Sequence, residues 1–122
     1  MKNLLSLFFF LSALMIISCG KDDETDGSNC ETTDLTYNGE IKNILNTNCA
    51  LSGCHSEDQA TTQGAMHDYA AAKAFVDFGR VVGAINHNEG FKPMPFPTGT
   101  DKLSDCNIDK IEAWIADGAP EE

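Results

Sequence analysis

Positive charge is scarce in this sequence: 8 Lys and Arg stand against 19 Asp and Glu, a formal net charge of −11 over 122 residues. That balance excludes a nucleic-acid surface, because phosphate binding needs clustered cations. It equally excludes attraction to anionic lipid headgroups. No segment alternates apolar and polar residues in a sustained way, and no internal repeat is present. No apolar run reaches the roughly 20 residues that a membrane-spanning helix requires. A nucleophile–base pair, paired carboxylates and a phosphate-cradling loop are also missing, so the expectation is a protein that is not an enzyme.

The longest apolar run, Leu4 to Ile17, follows Met1-Lys2-Asn3, whose lysine supplies the positive start of an export signal. It closes on Ile16-Ile17-Ser18-Cys19-Gly20, which resembles the bacterial lipobox, where the Cys is lipidated and becomes the new N-terminus. On that resemblance residues 1–18 are a lipoprotein signal peptide and Cys19 carries the anchor. The alternative is an ordinary signal peptide with a chance cysteine. Several acyl chains anchor stably where one anchors only marginally, so a lipidated Cys19 holds the protein to the outer membrane with no spanning segment. The following Lys21 to Asn29 is polar, acidic and without apolar periodicity, and residues 19–36 read as a linker. Acidic residues just after the Cys resemble the surface-export signal of Bacteroidetes-type lipoproteins, so display at the periplasmic face or the cell surface stays open. Export implies an oxidising compartment, where paired cysteines persist.

Residues 37–122 read as one all-α domain. Tyr37, Ile41, Ile44 and Leu45 share one face of a helix running to about Asn48. Asp68 can cap a second helix, Tyr69 to Phe78, that Gly79 terminates. Val81, Val82 and Ile85 predict a short third helix ending near Asn86. Gly90 to Gly99 holds three prolines and two glycines in ten residues and cannot be regular structure. Ser104 caps the last helix, with Asp105 in its first turn and Ile108, Ile111 and Ile115 as its buried stripe; Gly118 and Pro120 end it.

The chemistry concentrates in Cys49-Ala-Leu-Ser-Gly-Cys54-His55. A Cys-x-x-Cys-His run attaches c-type haem, the two thiols adding to the vinyl groups and the adjacent imidazole ligating iron. The His must follow the second Cys directly, so that one turn presents both thioether and ligand. Here four residues separate the cysteines, and Ser52-Gly53 gives the longer loop room to bulge. The competing readings of these three residues are a local Cys49–Cys54 disulfide beside a chance histidine, and one corner of a zinc site completed from Cys30, Cys106, His67 and His87.

From about Tyr37 to Pro120 the chain resembles the cytochrome c-like domains of bacterial lipoproteins, particularly those of Bacteroidetes. The resemblance is carried in order by Tyr37-x3-Ile41-x2-Ile44-Leu45, Cys49-x4-Cys54-His55, Gly79-Arg80-Val81, Lys92-Pro93-Met94-Pro95, and Leu103-Ser104-Asp105 through Trp114-Ile115-x2-Gly118-Ala119-Pro120. It implies one covalent haem c, first and last helices packed together around it, and electron transfer to redox partners. It implies Cys49 and Cys54 as the thioether positions, His55 as the proximal iron ligand and Met94 as the distal one. Pro93, Pro95 and Pro97 would pre-order the loop that holds this weak thioether ligand.

Rivals for the sixth position are Met66, His67 and His87. An open position would make the protein a haem enzyme or small-ligand sensor, and a chain without haem would be a disulfide-stapled interaction module. With Cys49 and Cys54 given to haem, Cys30 and Cys106 remain as a pair. Phe75 and Trp114 are expected to pack the core or the haem edge. Arg80 is either a propionate partner or a solvated surface residue, and the acidic surface could steer a basic partner.

Overall fold

A computed structural model describes residues 30–59, 64–95 and 101–122. The expected signal peptide, Cys19, the first part of the expected linker and residues 96–100 of the proline-rich stretch lie outside the described residues. Among those described, the chain is helical and contains no strand, in keeping with the all-α expectation. A single π turn, Tyr37–Ile41, runs into α1 (Lys42–Asn48); after a 3₁₀ turn at Glu57–Gln59 come α2 (Tyr69–Asp77), α3 (Val81–Ile85) and α4 (Asp105–Ala116). No helix among the described residues is long and apolar enough to cross a membrane.

The helix ends follow from their capping residues. The Asp68 carboxylate accepts from the Ala71 N–H at 2.8 Å at the start of α2, and Ser104 Oγ accepts from Asn107 N–H at 3.3 Å at the start of α4. Gly79, with φ +76°, stops the chain after α2. At the end of α4, Gly118 N–H donates to Ile115 O at 3.0 Å and Ala119 N–H to Trp114 O at 2.8 Å, a Schellman pair made possible by the left-handed Gly118. The expected continuous first helix is broken: Gly39 has φ −77° and ψ −111°, and Thr36 Oγ1 accepts its N–H at 3.1 Å. The apolar face survives the break, since Tyr37, Ile41, Ile44 and Leu45 are all buried.

The two ends of the domain are packed together. Tyr37 N–H donates to Pro120 O at 2.9 Å and Asn38 N–H to Glu121 O at 3.0 Å. Trp114 Nε1–H donates to the same Pro120 carbonyl at 2.9 Å, and Tyr69 OH to Ala119 O at 3.1 Å. The Tyr37 ring lies 5.5 Å from that of Tyr69 and 6.4 Å from that of Trp114. Glu40 pairs with Lys110 across the same junction. The buried stripe of α4 is Ile108, Ile111 and Trp114, with Ile115 only partly buried. Trp114, not Ile115, is the fully buried residue at this end of the stripe, and its indole N–H is satisfied there by the Pro120 carbonyl.

Cys30 and Cys106 are disulfide-bonded, with Cα atoms 5.5 Å apart, which ties the chain entering the domain to the first turn of α4 across 76 residues. A loop of that size corresponds to about 4 kcal/mol of lost unfolded-state entropy. Replacing both cysteines by serine should therefore lower the urea midpoint by an amount equivalent to about 2–4 kcal/mol. Equilibrium unfolding followed by Trp114 fluorescence checks this, and an unchanged midpoint would show that the bridge carries no weight.

Candidate functional site

The segment Cys49–His55 leaves α1 and folds back on itself. Both Cys49 N–H and Ala50 N–H donate to Leu45 O at 2.8 Å, so the helix ends there. Cys54 N–H then donates to Leu51 O at 2.9 Å, a tight turn around Gly53, whose φ of +78° is open to glycine without strain. Finally His55 N–H returns to Cys49 O at 3.1 Å. The extra residues are thus looped outward, with Leu51, Ser52 and Gly53 exposed, while the backbones of Cys49 and His55 stay hydrogen-bonded neighbours. The long spacing keeps the cysteines and the histidine in one compact turn.

His55 is the one buried polar or charged side chain among the described residues, 8% exposed. Its Nδ1 lies 2.7 Å from the Gly64 carbonyl, which can only accept, so Nδ1 carries the proton. In the neutral imidazole this contact leaves the lone pair on Nε2, the tautomer that suits a metal-ligating imidazole held by an outer carbonyl. Met66 N–H donates to His55 O at 2.8 Å, and the Phe75 ring stands edge-on to the imidazole with centroids 5.0 Å apart. Gly64 is required twice here. Its φ is +80°, and a Cβ would come within 2.6 Å of the Phe75 ring.

Around this turn the core is hollow. A cavity of about 380 Å³, within the range of small-molecule and cofactor pockets, is lined by Cys49, Cys54, His55, Met66 and Met94. Its remaining wall is largely apolar and drawn from every helix: Leu45 of α1, Phe75 of α2, Val81 and Ile85 of α3, Ile111 of α4. Both cysteines are free thiols. Burial, with the Cys54 thiol beside it, pushes Cys49 up to about 11 from the ordinary 9.0.

The expected site residues separate into two groups. Cys49, Cys54, His55 and Met94 line one cavity, and so does Met66. His67 does not; its Nε2 pairs with the Asp68 carboxylate at 3.2 Å. His87 does not line it either, and its Nε2 faces the Met94 carbonyl at 3.0 Å. Arg80 is exposed and is not brought to the cavity: its guanidinium lies over the Phe91 ring, 5.0 Å from the centroid. The zinc reading loses its completing thiols, since Cys30 and Cys106 are bonded to each other, and no group of three or more His, Cys, Asp or Glu among the described residues is placed to hold a metal ion. Sequence reasoning missed Gly64, whose carbonyl sets the His55 tautomer. A backbone carbonyl has no signature of its own, though an isolated glycine nine residues after His55 was a visible mark of unusual backbone. Comparison with protein-family models, curated proteins and solved structures finds no match.

The raised Cys49 value has a direct consequence. In the thiol form of the chain at pH 8, Cys49 should alkylate roughly a hundredfold more slowly than in the urea-unfolded chain, because two pH units separate the two thiols. The linked stability is complete below pH 9 and is lost as pH rises from there toward 11, where the unfolded chain ionises first. Mass-mapped alkylation with iodoacetamide measures the ratio, and equal folded and unfolded rates would contradict the burial of this sulfur.

Proposed function

We propose that this protein is a lipid-anchored c-type cytochrome that carries single electrons on one covalently attached haem c. One observation supports it above the others: two free thiols, an imidazole anchored through Nδ1 and a methionine line a single, largely apolar cavity. The donor set fits the group. The two thiols would serve for thioether attachment, and Nε2 of His55 and the thioether of Met94 would be the iron ligands. Bound there, the haem iron would supply the one-electron couple.

The chain's own residues do the rest. Cys49 and Cys54 hold the group to the end of α1. The Gly64 carbonyl keeps His55 in the ligating tautomer and at a fixed ring orientation. The largely apolar wall would lower the polarity around the group, which with a neutral sulfur ligand would favour the reduced iron. The packing of the first helical turns on α4 supports a cytochrome c-like arrangement. On this reading Cys19 is the lipid-bearing residue of an exported chain. The acidic surface favours a basic redox partner, since opposite charge raises encounter rates.

Protein made in a host with haem-maturation machinery should show an intact mass raised by one haem and a c-type pyridine haemochrome spectrum. His55→Ala should abolish the normal spectrum. Met94→Ala should keep the haem and lower the potential by on the order of 0.1 V, a fraction of the span that axial ligands command. Colourless wild-type protein with Cys49 and Cys54 bonded to each other would end the proposal.

A further inference from the structure

The loop that carries Met94 is fastened to α3 from several sides. Met94 N–H donates to Ala84 O at 3.0 Å, and the same Ala84 carbonyl accepts His87 N–H at 3.2 Å. The Met94 carbonyl in turn lies 3.0 Å from His87 Nε2. Because a carbonyl only accepts, Nε2 is the protonated nitrogen and donates. Phe91 packs so closely on Gly83 that a Cβ there would meet its ring at 2.5 Å. The peptide groups on both sides of the Met94 Cα are therefore hydrogen-bonded, one to the helix and one to the residue just beyond its end.

His87 is the residue just past the C-cap of α3, where the chain turns left-handed. Its φ is +58°, the left-handed region uncommon outside glycine. Residues held there persist only when their surroundings over-determine them. The Schellman pair that closes α3, His87 N–H to Ala84 O at 3.2 Å and Asn88 N–H to Gly83 O at 2.9 Å, holds it there, and the imidazole reaches the Met94 carbonyl from that position. The imidazole is outside the cavity wall, so it holds no ligand itself.

We propose that His87 is a positioning residue for Met94: its Nε2–H, bonded to the Met94 carbonyl, keeps the methionine at the cavity as the sixth iron ligand. The proposal rests on the haem reading above. A neutral thioether binds iron weakly, so freedom returned to its loop appears directly as easier displacement by a competing ligand.

Two variants separate this role from a merely structural one. His87→Asn accepts the left-handed backbone but its amide is too short to reach the Met94 carbonyl. His87→Gln restores an N–H at about the distance of the imidazole Nε2. Both are produced beside wild type in a haem-maturing host and compared by intact mass, carbon monoxide titration of the ferrous protein and potentiometry. With haem attached in all three, the Asn variant should bind carbon monoxide roughly fivefold to tenfold more tightly, the weight of one hydrogen bond, and show a lower potential. The Gln variant should return toward wild type in both. The Met94 amide should also exchange with deuterium faster in the Asn variant by a similar factor, and this readout with the Gln variant decides the matter if the Asn variant accumulates no haem. Wild-type carbon monoxide affinity and potential in a haem-loaded Asn variant overturn the role of His87 and leave the haem reading standing. A wild-type chain whose mass shows no haem overturns both.

Discussion

The carbonyl of Pro120 is the point on which the domain closes. It accepts the Tyr37 N–H from the start of the chain's first helical turn and the Trp114 indole N–H from the last helix, each at 2.9 Å. A carbonyl has two lone pairs, and here one takes a donor from the far end of the domain while the other takes the indole six residues back. The bond geometry places the π turn and α1 against α4, so that Leu45 and Ile111 become walls of one cavity. That carbonyl can be where it is only because Gly118 and Ala119 both adopt left-handed φ, +88° and +54°, turning the chain back over α4. Glycine takes that conformation freely. Ala119 takes it against its preference and is compensated by burial, 1% exposed, and by accepting Tyr69 OH.

The same closure leaves an apolar hollow at the centre. A domain of this size buries a modest share of its surface, and side chains lining a cavity lack packing partners on one face. Anything that binds the folded chain in that hollow and not the unfolded one adds RT ln(1 + [L]/Kd) to stability. The Cys30–Cys106 bridge acts on the other side of the equilibrium by restricting the unfolded chain.

What could be read from the sequence was whatever a side chain encodes locally. Asp68 and Ser104 were legible as caps because a short acceptor before an apolar period has one good use, and Gly118 was legible as a stop for the corresponding reason. The thiols, His55 and Met94 were legible because their chemistry is rare enough to stand out in a small chain, and the cavity brings those four together. Other features depend on tertiary contact. Gly39 breaks the first helix because Thr36 competes for its N–H. Trp114, not Ile115, is fully buried, its indole N–H satisfied by a carbonyl six residues on. Arg80 stays at the surface because Phe91 offers a ring face beside it. In each case the deciding partner is a backbone group or a ring brought close by the fold, and neither advertises itself along the chain.

The loop around Met94 shows how two kinds of ordering can serve one residue. Pro93 and Pro95 fix φ on either side of it, which lowers the entropy of the free loop before anything binds. Proline also removes an N–H, so a loop built from prolines has few hydrogen bonds with which to choose a place on the protein. Met94 keeps its own N–H between them, and that donor goes to Ala84, while its carbonyl goes to His87. The prolines limit the shapes available to the loop, and the two hydrogen bonds select where that shape is attached. A stiff loop with no attachment would present the thioether at many positions, and an attached but flexible one would present it in many orientations. If Met94 is the weak neutral ligand proposed above, it needs both restrictions together, and the short helix α3, with only one and a half turns, supplies the second of them.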